Sequence, residues 1–211
     1  MSDPPATLLV EVALMQIKQE PPCILDTWLD FIDAYEEAMV EIGDTVPGPS
    51  LEMFGAFSGA FVAGLTGGVA DPSVCGTRIA LPDGRCALIA VATDDRGDDF
   101  GMVVDPERVV ADWVVLVVFK TLRPVAVHVI EARQLSGLGR ALRVQAPLPP
   151  DSPPSAIVLS TAFHWNLCLE PFTAEVFGVR TYYLSDDGMS HEPVPVPPAA
   201  ISGRAPEEVS K

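Results

Sequence analysis

The side chains from which this chain could build reactive chemistry are three histidines, four cysteines and a dense acidic run near its middle. His128, His164 and His191 are scattered, and none forms a visible pair with a Cys or Ser nucleophile. His128 alternates within an apolar run, so a buried structural histidine is expected there. Cys23, Cys75, Cys86 and Cys168 show no CxxC pair and no His at ligand spacing, which supports neither a zinc site nor a redox motif and predicts buried, reduced thiols. The run Asp94-Asp-Arg-Gly-Asp-Asp contains an Arg-Gly-Asp tripeptide at 96–98, read here as a solvated turn. Gly137-Leu-Gly-Arg follows a strand but lacks a third Gly and the Lys-Ser/Thr of a phosphate loop, so a surface turn is expected. Phe163-His-Trp-Asn and Trp113 offer stacking faces without a basic groove around them, which points to a core or interface role.

Charge limits the partners. The formal net charge is −16, from 29 acidic and 13 basic residues, which disfavours a broad nucleic-acid or anionic-membrane surface. The imbalance is local: residues 1–77 carry 12 acids and the single base Lys18, whereas residues 120–143 carry five bases against Glu131 alone. The second segment is the one anion-facing stretch, and its ordinary reading is a solvated sheet edge. The start, Met1-Ser-Asp-Pro-Pro, has no basic region of the secretory kind, so a cytoplasmic location is the expectation.

The elements that must position these residues are legible in the hydrophobic period. Trp28, Phe31, Tyr35, Met39 and Val40 recur at three- and four-residue steps with acids between them, predicting an amphipathic helix capped by Asp26 or Thr27. A second helix is predicted from Leu51 to Leu65. The uncharged stretch from Met53 to Ala70 approaches membrane length, but Glu52, Asp71 and the Gly67-Gly68 stop favour a core helix. Two strands around Pro82-Asp-Gly form a hairpin. The apolar runs from Ala111 to Phe119 and from Pro124 to Ile130 read as central strands covered on both faces. Residues 134–143 read as a short helical or irregular segment, 145–155 as a Pro-rich loop, 171–177 as a helix, and Tyr182-Tyr-Leu as a last strand. The domain reading is an N-terminal segment (1–24), one α/β domain (25–184) and a disordered, Pro-rich acidic tail (185–211) with a polyproline stretch at Val194-Pro-Val-Pro-Pro.

The order helix, hairpin, loop, two buried strands resembles the restriction-endonuclease-like fold. Gly55-Ala-Phe-Ser-Gly-Ala-Phe-Val-Ala-Gly-Leu-Thr-Gly-Gly looks like the first core helix of small PD-(D/E)xK proteins. Ser73-Val-Cys-Gly-Thr-Arg-Ile-Ala-Leu-Pro-Asp-Gly-Arg-Cys-Ala-Leu-Ile-Ala is similar to that family's catalytic hairpin, and Ala111-Asp-Trp-Val-Val-Leu-Val-Val-Phe to its next strand. The resemblance implies a mixed central sheet flanked by helices. In the family, a hairpin Asp and a Glu or Gln hold Mg²⁺, a Lys two residues on positions the attacking water, and a helix Glu often assists. Laid over this chain, the helix Glu falls on Ala56 or Gly59, the hairpin Asp on Arg78, and the Glu/Gln-x-Lys on Leu88-Ile89-Ala90. An Arg where a metal-binding carboxylate belongs repels a divalent cation. Gln16-Ile-Lys18 has the Q-x-K form, but it precedes every candidate acid and has no hairpin partner.

The expectation is therefore a non-catalytic, nuclease-like domain without a cofactor that binds a protein partner. Asp30, Asp33, Glu37 and Glu41 would meet a basic partner, and Lys120, Arg123, Arg140 and Arg143 are the basic candidates for a contact surface. Two alternatives stay open. One is a Mg²⁺-dependent endonuclease with displaced carboxylates at Asp83, Asp94 and Asp95, with Asp98 and Asp99 in reserve. The other is a structural or self-assembling protein.

Overall fold

The computed structural model describes residues 24–42, 49–70, 78–94, 100–142, 148–185 and 188–190. Helix α1 (Ile24–Ile42) buries Trp28 and Ile32 one turn apart, and keeps Asp26, Asp30, Asp33, Glu36, Glu37 and Glu41 in solvent. It begins two residues before the expected cap. Helix α2 (Leu51–Thr66) starts where the Ser50 hydroxyl accepts the Met53 N–H at 3.3 Å, and ends at Gly67, whose φ of 64° puts it in the left-handed region. The uncharged stretch thus divides into this helix and strand β1 (Val69–Ala70). Among the described residues no helix is long and apolar enough to cross a membrane.

Eight further strands and three α-helices follow among the described residues. Strands β2 (Arg78–Ala80) and β3 (Cys86–Thr93) form the expected hairpin, followed by β4 (Phe100–Val104), β5 (Trp113–Lys120) and β6 (Arg123–Glu131). A 3₁₀ turn at Ala132–Gln134 leads into α3 (Leu135–Leu142). Then come β7 (Ile157–Leu159), α4 (Thr161–Leu169), α5 (Pro171–Val176), β8 (Arg180–Ser185) and β9 (Gly188–Ser190). The main path of the sheet is β1-β2-β3-β5-β6-β8-β9, and its neighbours are antiparallel except for β3 and β5, which run parallel. Strand β4 branches from the end of β3 and pairs with β7. The chain is therefore a mixed α/β fold with a mixed central sheet.

Side-chain alternation gives each face its own core. On one face Ile79, Ala87, Ile89, Val115, Val117 and Phe119 pack with α1 and α2. Phe119 is fully buried, with the rings of Trp28, Phe54 and Phe57 at 4.8 to 5.8 Å between centroids. On the other face Ala90, Ala92, Val114, Leu116, Val118 and Ile130 pack with α3, α4 and α5. The expected central strands β5 and β6 are thus covered on both sides.

Several elements depart from expectation for identifiable reasons. Gly137-Leu-Gly-Arg is helix α3 rather than a surface turn: a side chain at Gly137 would strike the Phe177 ring and one at Gly139 would strike Ile157, so packing overrides the low helix propensity of Gly. Strands β4 and β7 and helix α4 lie where no element, or only an apolar segment, was expected. Pairing also runs past residue 184, because β9 adds to β8. The Arg-Gly-Asp tripeptide, Gln16-Ile-Lys18, His191 and the polyproline stretch lie outside the described residues.

The β5–β6 connection is a strained two-residue turn. Thr121 and Leu122 have φ of 47° and 69°, conformations that suit Asn and Gly in such hairpins. The turn is held from outside. Leu122 is buried against the α1–α2 core, its carbonyl accepts the Trp28 indole N–H at 2.9 Å, and the Thr121 N–H donates to Asp94 at 3.1 Å. Thr121 is exposed, so Thr121→Asn should relieve strain and stabilise the protein by about 1 kcal/mol. Trp28→Phe should destabilise by about 1–3 kcal/mol through the orphaned carbonyl, both measured by urea denaturation.

Candidate functional site

Register fixes where Arg78, Leu88 and Ala90, the positions marked by the resemblance, point. Arg78 and Leu88 are cross-strand partners in β2 and β3, and Ala90 lies two residues on, facing the same way. That face is the one beneath α3, α4 and α5. Ala90 is fully buried in the apolar cluster there, and Leu88 packs against the same cluster. Arg78 is half-buried at the rim and donates from its guanidinium to the Val110 carbonyl at 2.6 Å, tying β2 to the segment before β5. Two aliphatic side chains and a cation offer no ligand to a divalent ion.

The alternative acids are occupied with local structure. Asp83 accepts the Arg85 backbone N–H at 3.0 Å and its Nε at 2.8 Å within the hairpin turn. That hydrogen bond from the Arg85 side chain holds the Asp83 carboxyl below its ordinary pKa. Asp94 closes the β5–β6 turn through Thr121. Asp95, Asp98 and Asp99 lie outside the described residues. Among the described residues no group of three or more His, Cys, Asp or Glu side chains is placed to hold a metal ion.

The same face carries a polar chain that the sequence did not disclose. From Ala90 the register runs through Leu116 of β5 to His128 of β6 and Thr181 of β8. His128 Nδ1 lies 2.8 Å from the Thr181 hydroxyl and its Nε2 lies 2.8 Å from His164 Nδ1 on α4. Cys168, one helical turn beyond His164, has its Sγ 3.7 Å from His164 Nδ1 and 3.5 Å from the Tyr183 hydroxyl. Contrary to expectation, His164 therefore does stand beside a thiol. The spacing His164-x-x-x-Cys168 was the available signal, but it carries meaning only once α4 is known to be a helix.

Electrostatics makes this chain neutral. Burial, reinforced by the neighbouring His164, holds the His128 pKa well below its ordinary value. Burial lowers that of His164 to about 4, with the Asp94 carboxylate pulling the other way. Two neutral imidazoles sharing a proton must point the same way along the chain. Either Thr181 donates to His128 and His128 to His164, or both bonds reverse. Burial raises the Cys168 pKa against a smaller lowering by the Tyr183 hydrogen bond, and burial likewise raises that of Tyr183. A nucleophilic cysteine needs a depressed pKa and a competent base, and here both shifts oppose that. The network is buried at His128 and His164, and its half-buried ends, Thr181, Cys168 and Tyr183, line a cleft of about 540 Å³ between α4, α5 and β8.

The chain matches no protein-family model and no curated protein.

The expected partner-binding residues separate into three places. Asp30, Glu37 and Glu41 are exposed along α1. Asp33 and Glu36 on the same helix accept from Arg123 at 2.6 and 3.4 Å, so that arginine ties the β5–β6 hairpin to α1. Lys120 is exposed beside Arg123 in register. Arg140 lies beyond the far end of β6, on α3, where it donates to Ser136 at 3.3 Å. Arg143 lies outside the described residues.

The buried histidines predict a pH dependence. At neutral pH both states carry neutral imidazole; as pH falls through 6.5 the unfolded chain binds the proton first, and the folded chain does so only near 4. His164 alone should therefore cost about 3 kcal/mol of stability between pH 7 and pH 4. Urea denaturation across that range should show wild type losing about that much more than His164→Gln, and parallel curves would refute the assignment.

Proposed function

We propose that the chain is a restriction-endonuclease-like scaffold that has lost nuclease chemistry and works by binding a protein partner. The observation that carries this reading is the filled position itself: Arg78 opposite Leu88, with Ala90 sealed beneath the second helical layer. The order helix, hairpin, loop and two central strands supports the fold assignment. The acids of α1 support the binding role, since four exposed carboxylates on one helix, beyond the two paired with Arg123, attract a basic surface and raise its association rate. Asp83 and Asp94, already committed to Arg85 and Thr121, give no support to a displaced metal site.

The test is direct. The full chain should leave single- and double-stranded DNA and RNA uncut in Mg²⁺ or Mn²⁺, and calorimetry with either ion should give no binding heat. Metal-dependent cleavage that disappears in Asp94→Ala would overturn the reading. Restoring the family's lysine should not restore function: Ala90→Lys puts an ammonium group into an apolar core and should destabilise by about 3 kcal/mol or more, read by urea denaturation.

A further inference from the structure

Most exposed apolar side chains are dispersed over separate elements, such as Val40 on α1, Val69 on β1 and Val110 before β5. One group is not. Trp165 and Leu169 on α4 and Phe172 and Val176 on α5 are 43%, 75%, 75% and 64% exposed. Their spacing of four, three and four residues places each pair one turn apart along its helix, and only Glu170 separates the helices. The four side chains thus lie in two exposed apolar pairs, one on each helix, flanking Glu170 at the α4–α5 corner. Pro171 and Glu175, each one residue before a member of these pairs, line the cleft between α5 and β8. Such apolar pairs bordering a cleft are uncommon on an isolated protein surface.

Charge indicates what covers them. Glu170 and Glu175 are exposed, with no ion pair of either among the described residues, and outnumber Arg180, the one base lining the cleft. A second copy would bring the same two acids, on a chain of net charge −16, against this face. A chain with apolar residues at helical spacing and Lys or Arg beside them would cover both pairs and neutralise both glutamates. We propose that the α4–α5 corner is a docking surface for a basic amphipathic helix of a partner protein. It lies across the sheet from α1, and it does not depend on the nuclease-like reading.

The probe is a synthetic 18-residue Leu/Lys peptide patterned as an amphipathic helix, titrated into the full chain by fluorescence anisotropy. A scrambled Leu/Lys peptide of equal charge and a Leu/Glu helix are the controls. The patterned peptide should bind at least tenfold more tightly than either control. Leu169→Asp with Phe172→Asp should weaken it at least tenfold with an unchanged melting temperature, since both side chains are three-quarters exposed. Glu170→Lys with Glu175→Lys should reverse the preference toward the Leu/Glu helix. Equal binding of the scrambled peptide, or no effect of either double substitution, would overturn the proposal. So would light scattering that shows a wild-type dimer and a Leu169→Asp/Phe172→Asp monomer, because the apolar pairs would then belong to a second copy.

Discussion

The central hairpin of the sheet is closed by Thr121 and Leu122, two residues poorly suited to the left-handed backbone they adopt. A turn of this kind persists only when its surroundings over-determine it. Here three do. The Leu122 side chain lies in the α1–α2 core, its carbonyl holds the Trp28 indole, and the Thr121 amide holds Asp94 at the end of β3. The placement of α1 follows from the second contact, reinforced by Arg123 one residue further on, which binds Asp33 and Glu36. The orientation of Asp94 follows from the third, and that carboxylate is the charge that acts on His164.

Once β5 and β6 are fixed, alternation distributes everything else. The odd-numbered members of β5, Val115, Val117 and Phe119, face α1 and α2; the even-numbered ones, Val114, Leu116 and Val118, face α3, α4 and α5. A slip of one residue would exchange the two cores and bring His128 under α2, away from Thr181 and His164. The buried imidazoles are thus a constraint on register as well as a consequence of it.

Long periodic signals were legible in the sequence, and contacts made across it were not. Helix α1 declared itself through Trp28 and its acids, α2 through its apolar run and Gly67, and the hairpin through Pro82-Asp-Gly. The pairing of Arg78 with Leu88 follows from the geometry of that turn. Strands β4 and β7 were missed because each is short and their pairing with each other spans a long stretch of chain. Gly137 and Gly139 concealed α3, since the local cost of Gly in a helix is visible in sequence while its contacts with Phe177 and Ile157 are not. His128 and His164 are 36 residues apart, and only folding brings them within hydrogen-bonding distance.

The two outer surfaces of the sandwich differ for a physical reason. Helix α1 is long enough to bury a full apolar stripe and turn every acid outward, which leaves a charged, solvated face. Helices α4 and α5 are nine and six residues long and meet at a corner, so the inward stripe is satisfied by Phe163, Leu167 and Ala174 while Trp165, Leu169, Phe172 and Val176 stay exposed among the described residues. Beneath them burial holds both histidines below their ordinary pKa and raises that of Cys168, the opposite of what an activated thiol needs. The exposed apolar pairs are then better explained as contact area than as the wall of a catalytic site.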